Sequence, residues 1–251
     1  MSLLMGSGQA HHATRSTRNF TRWVRRVAVI AVVLLVGGAA FLASSRADVV
    51  NATTPRPHSY PYVMIGASVT YVARSDIQAA LPGLYLDARN GRGWANPPSG
   101  GGTNVWQAFV ADAKYVKPGG WIIIEAGLGG VNPDVFDWYV KRVVAAMPRN
   151  VCLAWVMPHT YFAGQTSEQT ALRQKWNADV QAFIRTDLAA VRCHSFVEWD
   201  AAVVTATQRT PHLTTTQIDQ SQPLCYDGRH PTATGSLVLA ELLQQGVRRA
   251  T

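Results

Sequence analysis

The stretch Val63-Met64-Ile65-Gly66-Ala67-Ser68-Val69-Thr70 decides how the rest of the chain is read. It predicts a buried strand over Tyr62 to Ile65, then a glycine for a tight turn, then a serine whose hydroxyl is offered at the end of the strand. Outward from it, apolar runs alternate with helical patterns. A helix around Ser75 to Leu81, a strand at Leu84 to Ala88 and a helix over Asn104 to Tyr115 come first. The run Trp121 to Glu125 (WIIIE), a helix over Pro133 to Met147 and a strand at Val151 to Val156 follow. A long helix over Glu168 to Leu188, a strand at His194 to Trp199 and a closing helix from Thr232 to Arg249 complete the pattern. Five short, continuously apolar strands separated by helices predict an α/β domain, a three-layer α/β/α sandwich around a five-stranded parallel sheet. In such a sheet function gathers beyond the carboxyl ends of the strands. The corresponding loops are 66–74, 89–103, 126–133, 157–166 and 200–231.

The last of these loops ends Asp227-Gly228-Arg229-His230-Pro231-Thr232. An aspartate and a histidine three apart on a turn let the carboxylate orient the imidazole while the imidazole faces a nucleophile, which is the division of labour of a Ser/His/Asp triad. Each piece has a plainer reading. Ser68 would also serve as a helix-capping turn serine, and Asp227-Gly228 as an ordinary turn before a helix. Asn132, next to Pro133, reads as a helix N-cap. His159, Tyr161 and Phe162 either line a cleft or cover the core, and Trp176 reads as a core residue of the long helix.

With both blocks in place, the chain from about Tyr62 to Arg249 resembles the SGNH (GDSL-type) hydrolase superfamily. Gly66-Ala67-Ser68 is similar to its first block, with Ser68 as nucleophile, and Asp227 to His230 is similar to its last. The resemblance implies a flavodoxin-like SGNH fold and an oxyanion donor at Gly91. The string Asp87-Ala88-Arg89-Asn90-Gly91-Arg92 is most similar to the extracytoplasmic domains of peptidoglycan O-acetyltransferases and related cell-wall esterases. Two positions depart from the pattern. Ala67 stands where the family has Asp, and the third block, usually Gly-x-Asn, reads Gly127-Leu128-Gly129, so Gly129 occupies the place of an oxyanion-hole asparagine. Loss of one such donor typically costs about 10²–10³ in turnover. Asn132 reaching back, or the Gly129 and Gly130 amides, would restore the hole; otherwise the chain is an attenuated or inactive relative.

The resemblance implies a serine esterase or O-acyltransferase acting on acyl esters of cell-envelope carbohydrate, with no cofactor. The alternatives are a general lipid or small-ester hydrolase and a catalytically attenuated glycan-binding protein. A transferase would need an extracytoplasmic acyl donor, and so a separate membrane acyl-donor protein.

The chain has 251 residues and a net charge of +8, which invites a nucleic-acid reading. The charge is unevenly placed. Arg15, Arg18, Arg22, Arg25 and Arg26 precede the uncharged run Val27 to Ser45, and from Asn51 onward 17 basic residues face 14 acidic ones. The excess is therefore a topology signal, and no nucleic-acid partner is expected. Nineteen uncharged positions are about enough to cross a bilayer at ~1.5 Å per residue. The expected organisation is a basic cytoplasmic tail (1–26), a transmembrane signal-anchor helix (27–45), a linker (46–60) and an extracytoplasmic domain (61–251), with a cleaved signal peptide as the rival. No cysteine or histidine spacing suggests a metal. Cys152 and Cys193, at the starts of the fourth and fifth strands, are placed to form a disulfide, leaving Cys225 unpaired.

Overall fold

The computed structural model describes residues 57–98, 101–159, 167–208 and 223–248. The expected tail, membrane helix and most of the linker lie outside these residues, as do Tyr161 and Phe162. Among the described residues no helix is long and apolar enough to cross a membrane.

Five strands, β1 (Tyr60–Gly66), β2 (Leu84–Ala88), β3 (Val116–Glu125), β4 (Cys152–Val156) and β5 (His194–Val197), form one parallel sheet in the order β2-β1-β3-β4-β5. Side chains alternate between its faces, and both faces are covered. Val63, Ile65, Ile122, Ile124 and Trp155 share one core with Phe109 of α2 (Val105–Asp112), Phe136 of α3 (Pro133–Ala145) and Ile184 of α4 (Ser167–Leu188). Met64, Ile123 and Val156 share the other with Ile77 of α1 (Ser68–Ala80), Val203 of α5 (Trp199–Gln208) and Leu243 of α6 (Ala233–Arg248). The three-layer sandwich with a five-stranded parallel sheet is the architecture expected from the sequence. Strands buried on both faces lose the usual apolar/polar alternation, which is why they read as continuous runs.

Two elements differ from expectation. Helix α1 begins at Ser68 itself, not near Ser75, so 66–74 is not a loop. The first-turn N–H groups of a helix need acceptors, and local sequence supplies none at Ala67. The acceptor is remote: Glu125 Oε2, at the end of β3, accepts from Ala67 N at 3.0 Å and from Thr70 N at 3.1 Å. Likewise 200–231 is not a continuous loop, because α5 occupies its first part. The starts of α2 and α6 are local, in contrast. Asn104 and Gln107 form a reciprocal capping box, and Thr232 Oγ1 accepts from Gly235 N at 3.0 Å.

Cys152 and Cys193 form a disulfide at the amino ends of β4 and β5, far along the strands from the end where Ser68 sits. It closes a separation of 41 residues. The double substitution Cys152→Ala/Cys193→Ala is expected to lower unfolding free energy by about 2–4 kcal/mol. A lower urea midpoint with an unchanged slope is the reading to look for.

Candidate active site

Gly66 and Glu125 are register partners at the carboxyl ends of β1 and β3, the point where the strand order reverses. A crevice opens there in this topology. In this protein it is a cavity of about 490 Å³, and Ser68, Gly91, Gly129 and Asn132 all line it. Ser68 is the first residue of α1, and the turn before it is tight. A Cβ on Gly66 would lie 2.4 Å from the Thr70 side chain, which is itself fixed by a hydrogen bond from Thr70 Oγ1 to Glu125 Oε2 at 2.9 Å. Glu125 therefore holds the turn at Ser68 by three donors on one oxygen. Burial raises its carboxyl above the usual range, against the hydrogen bonds from Thr70 and Ala67 and the charge of Arg229, which favour the carboxylate.

Two glycine-bearing loops form the wall beside Ser68. Gly91 has φ +71°, so its backbone conformation alone favours glycine there. Gly129 has φ +56°, and a Cβ on it would stand 2.9 Å from Gly93 Cα. Any side chain at 129, asparagine included, would press its Cβ on the Gly93 backbone, so the close approach of the two loops favours glycine where the Gly-x-Asn pattern has asparagine. Asn132 does not take over by curling inward as a whole. Its Oδ1 accepts from Val135 N at 2.9 Å and caps α3, the plainer of its two readings, leaving Nδ2 as the part of the side chain the cap does not engage. The indole of Trp94 ties the two loops together: its Nε1 donates to Gly127 O at 2.8 Å while the ring stacks on Trp155.

Arg92 secures the first of these loops from below. It donates to Asp87 Oδ1 and to Asp87 O, each at 2.8 Å, and to Thr103 O at 3.1 Å. Asp112 is buried nearby and accepts from Tyr85 Oη at 3.4 Å. Burial, and after it the charge of Asp87, push the Asp112 carboxyl up from 3.8 to about 7. Between those two values the folded protein holds a proton that the unfolded chain releases, so stability falls as pH rises across that window. Asp112→Asn is expected to flatten that fall, which denaturation midpoints at pH 5 and pH 8 compared with the native chain would show.

The Asp227–His230 turn is fully built. His230 Nδ1 lies 2.6 Å from Asp227 Oδ2, and Asp227 Oδ1 accepts from His230 N at 2.7 Å and Arg229 N at 3.0 Å. Burial alone would raise the Asp227 carboxyl, but these hydrogen bonds and the imidazole hold it below the usual range. The turn is packed closely against α6, where a Cβ on Gly235 would overlap the carbonyl oxygen of Leu224. Arg229 brings the turn to the wall of the cavity that holds Ser68. No hydrogen bond joins Ser68 to His230 among the described residues; such contacts are often loose before substrate binds. Cys225, in the same turn, is buried, its thiol pushed up to about 12 by burial and by Asp227.

Several residues of this site carry no local sequence signal. Glu125 reads only as the last residue of an apolar strand and Trp94 as an ordinary loop residue, and Arg92, though part of the string that carries the resemblance, has no role that its spacing reveals. Trp176, expected in the core, lines the cavity instead, and so does His159. Among the described residues no cluster of ligand side chains suits a metal ion.

No protein-family model matches the chain. No curated protein matches its sequence either. Solved structures do match its fold. The C-terminal catalytic domain of peptidoglycan O-acetyltransferase A from Streptococcus pneumoniae aligns with a TM-score of 0.54 at 16% identity, over 76% of this chain and 94% of that one. A member of the lipolytic protein G-D-S-L family from Veillonella parvula aligns with a TM-score of 0.54 at 11% identity, over 75% and 98%. LAE5, an alpha/beta hydrolase enzyme from the metagenome of Lake Arreo, gives 0.54 at 15%, over 76% and 95%. The fold is that of the SGNH, or GDSL-type, hydrolases.

Proposed function

We propose that the domain is a serine esterase or O-acyltransferase that acts on acyl esters of cell-envelope carbohydrate through an acyl-serine intermediate. The observation that supports this best is the Asp227–His230 pair. Its carboxylate is oriented by two backbone N–H groups, and its turn borders the cavity that holds Ser68. In this reading His230 Nε2 takes the Ser68 proton as Oγ attacks the ester carbonyl, and Asp227 stabilises the imidazolium. Backbone N–H groups of Ser68, at the positive end of α1, and of Gly91 receive the oxyanion. His230 then returns its proton to the leaving alcohol, and water or a sugar hydroxyl releases the acyl group.

The basic N-terminus and the apolar run 27–45 support a single-pass cell-membrane protein with the domain outside, or a secreted one if the segment is cleaved. Transfer would draw on a separate membrane acyl-donor protein; hydrolysis needs none. A second reading, an attenuated glycan-binding protein, is favoured by Gly129 and by the capping role of Asn132. Labelling by a serine-directed organophosphonate, together with acetate release from a chromogenic acetyl ester, separates the two. Both should occur in the native chain and vanish in Ser68→Ala. Equal labelling of native chain and Ser68→Ala would overturn the assignment, and acetylated glycan tested against longer acyl esters distinguishes a general ester hydrolase.

A further inference from the structure

The turn that carries Asp227 and His230 also carries an aromatic ring to which the acyl-serine cycle gives no task. Tyr226 stacks on the His230 imidazole, with ring centroids 5.8 Å apart and planes 22° apart. The residue is nevertheless 53% exposed. With one face against the imidazole, that exposure falls on the opposite face and the edge of the ring. The backbone beneath the ring is fixed on both sides. Tyr226 N donates to His230 O at 3.0 Å, Thr232 N donates to Leu224 O at 2.9 Å, and Cys225 and Pro231 between them form an antiparallel bridge. A tyrosine so held presents a broad, stiff surface at little conformational cost, because only two side-chain torsions remain to be fixed.

In the proposed cycle the leaving alcohol takes its proton from His230, so its oxygen comes within about 3 Å of a ring nitrogen. Asp227 Oδ2 engages Nδ1 at 2.6 Å, which leaves Nε2 as the nitrogen that meets the alcohol. The leaving group is thus delivered to the imidazole on which Tyr226 stacks. The face of an aromatic ring is electron-rich and attracts the polarised C–H groups of a flat, ring-shaped partner. A pyranose presents such a row of C–H groups, and a short open-chain alcohol does not. We propose that Tyr226 is a specificity-determining residue, whose open face stacks on the sugar ring that bears the departing hydroxyl, so that esters of pyranose hydroxyls are preferred to esters of small open-chain alcohols. The preference rests on the ester-acting reading above, whereas stacking on a sugar as such does not.

The test follows acetate release by the full-length chain from O-acetylated chitotetraose and from ethyl acetate. A phenyl ester is unsuitable as the reference, because its own ring would stack. Tyr226→Leu keeps apolar bulk and removes the aromatic face; Tyr226→Phe keeps the face and removes only the hydroxyl. Any loss of support for the imidazole slows both substrates alike and cancels in the ratio of their kcat/KM values. That ratio should fall about tenfold in Tyr226→Leu, the scale of one lost aromatic stack, and recover in Tyr226→Phe, with the change appearing in KM for the sugar ester. An unchanged ratio in Tyr226→Leu would make the ring a support for the imidazole and overturn the proposal while the esterase stands. An equal fall in Tyr226→Phe would assign the effect to the hydroxyl and overturn the stack, as would a native chain that acts on ethyl acetate alone. If the native chain releases acetate from neither ester, the ester-acting reading fails, and calorimetry of unacetylated chitotetraose on the native and Tyr226→Leu chains decides the stack by itself. Binding about tenfold weaker in Tyr226→Leu then supports it; equal binding, or none by the native chain, removes it.

Discussion

Asp227→Asn is expected to lower ester turnover by about 10⁴ while leaving the fold in place. The local geometry fixes which way the new amide would turn. Asp227 Oδ1 accepts from two backbone N–H groups, so only the carbonyl oxygen of an asparagine fits there. The amide nitrogen is then left facing His230 Nδ1, where Oδ2 stood 2.6 Å away. A donor at that point forces Nδ1 to become the acceptor and moves the ring proton to Nε2, the atom that receives the Ser68 proton in the proposed cycle. The imidazole would keep its place but present the wrong tautomer. Steady-state kinetics with a chromogenic acetyl ester, paired with a thermal melt, would show a large fall in kcat and little change in Tm. A loss under tenfold would mean that His230 is not the base.

Glu125→Ala should be the most damaging single change to stability within the site, and Glu125→Gln a mild one. Truncation strands the N–H and the hydroxyl of Thr70, while Ala67 N, which loses the same carboxylate oxygen, keeps the backbone carbonyl of residue 125 at 3.0 Å. Each buried donor left without an acceptor costs about 1–3 kcal/mol, so with two of them a total of roughly 2–4 kcal/mol is expected once neighbouring groups adjust. Glutamine retains an acceptor that can meet all three donors, and the burial that raises the carboxyl's pKa disfavours the charge that glutamine lacks. Chemical denaturation of the two variants distinguishes a hydrogen-bonding role from a charge role. Because Ser68 lies between the donors, Glu125→Ala should also lose activity at temperatures where it is still folded.

These two cases show what the sequence made legible. Asp227 and His230 meet across three residues, so their pairing follows from spacing on a turn. The strands follow from uninterrupted apolar runs, and the disulfide from two cysteines at the starts of neighbouring strands. The start of α1 escaped local reading because its cap is a side chain 55 residues further along the chain. Helix α5 escaped because WDAAVVTATQ is short and its buried apolar positions are few. The role of Gly129 needed the position of Gly93, which only the folded backbone supplies. Trp176 shows the reverse error: apolar spacing on a helix places a ring inward, but inward here includes the wall of a cavity.

The close contact between Gly235 and Leu224 bears on when the site comes into being. Ser68 lies on the first helix of the domain and His230 just before the last, so the two are separated by nearly the whole folded chain. The first three strands and the turn at Ser68 can form from residues up to β3, but the imidazole is set only when α6 docks and seals one face of the core. Contacts of such long sequence separation are the slow ones in folding. During synthesis Ser68 therefore emerges long before His230, and a chain interrupted anywhere before α6 lacks the proton acceptor that the proposed cycle assigns to it. Under the proposed cycle turnover would report the arrival of the final helix, and its recovery during refolding should trail the recovery of strand and helix signals.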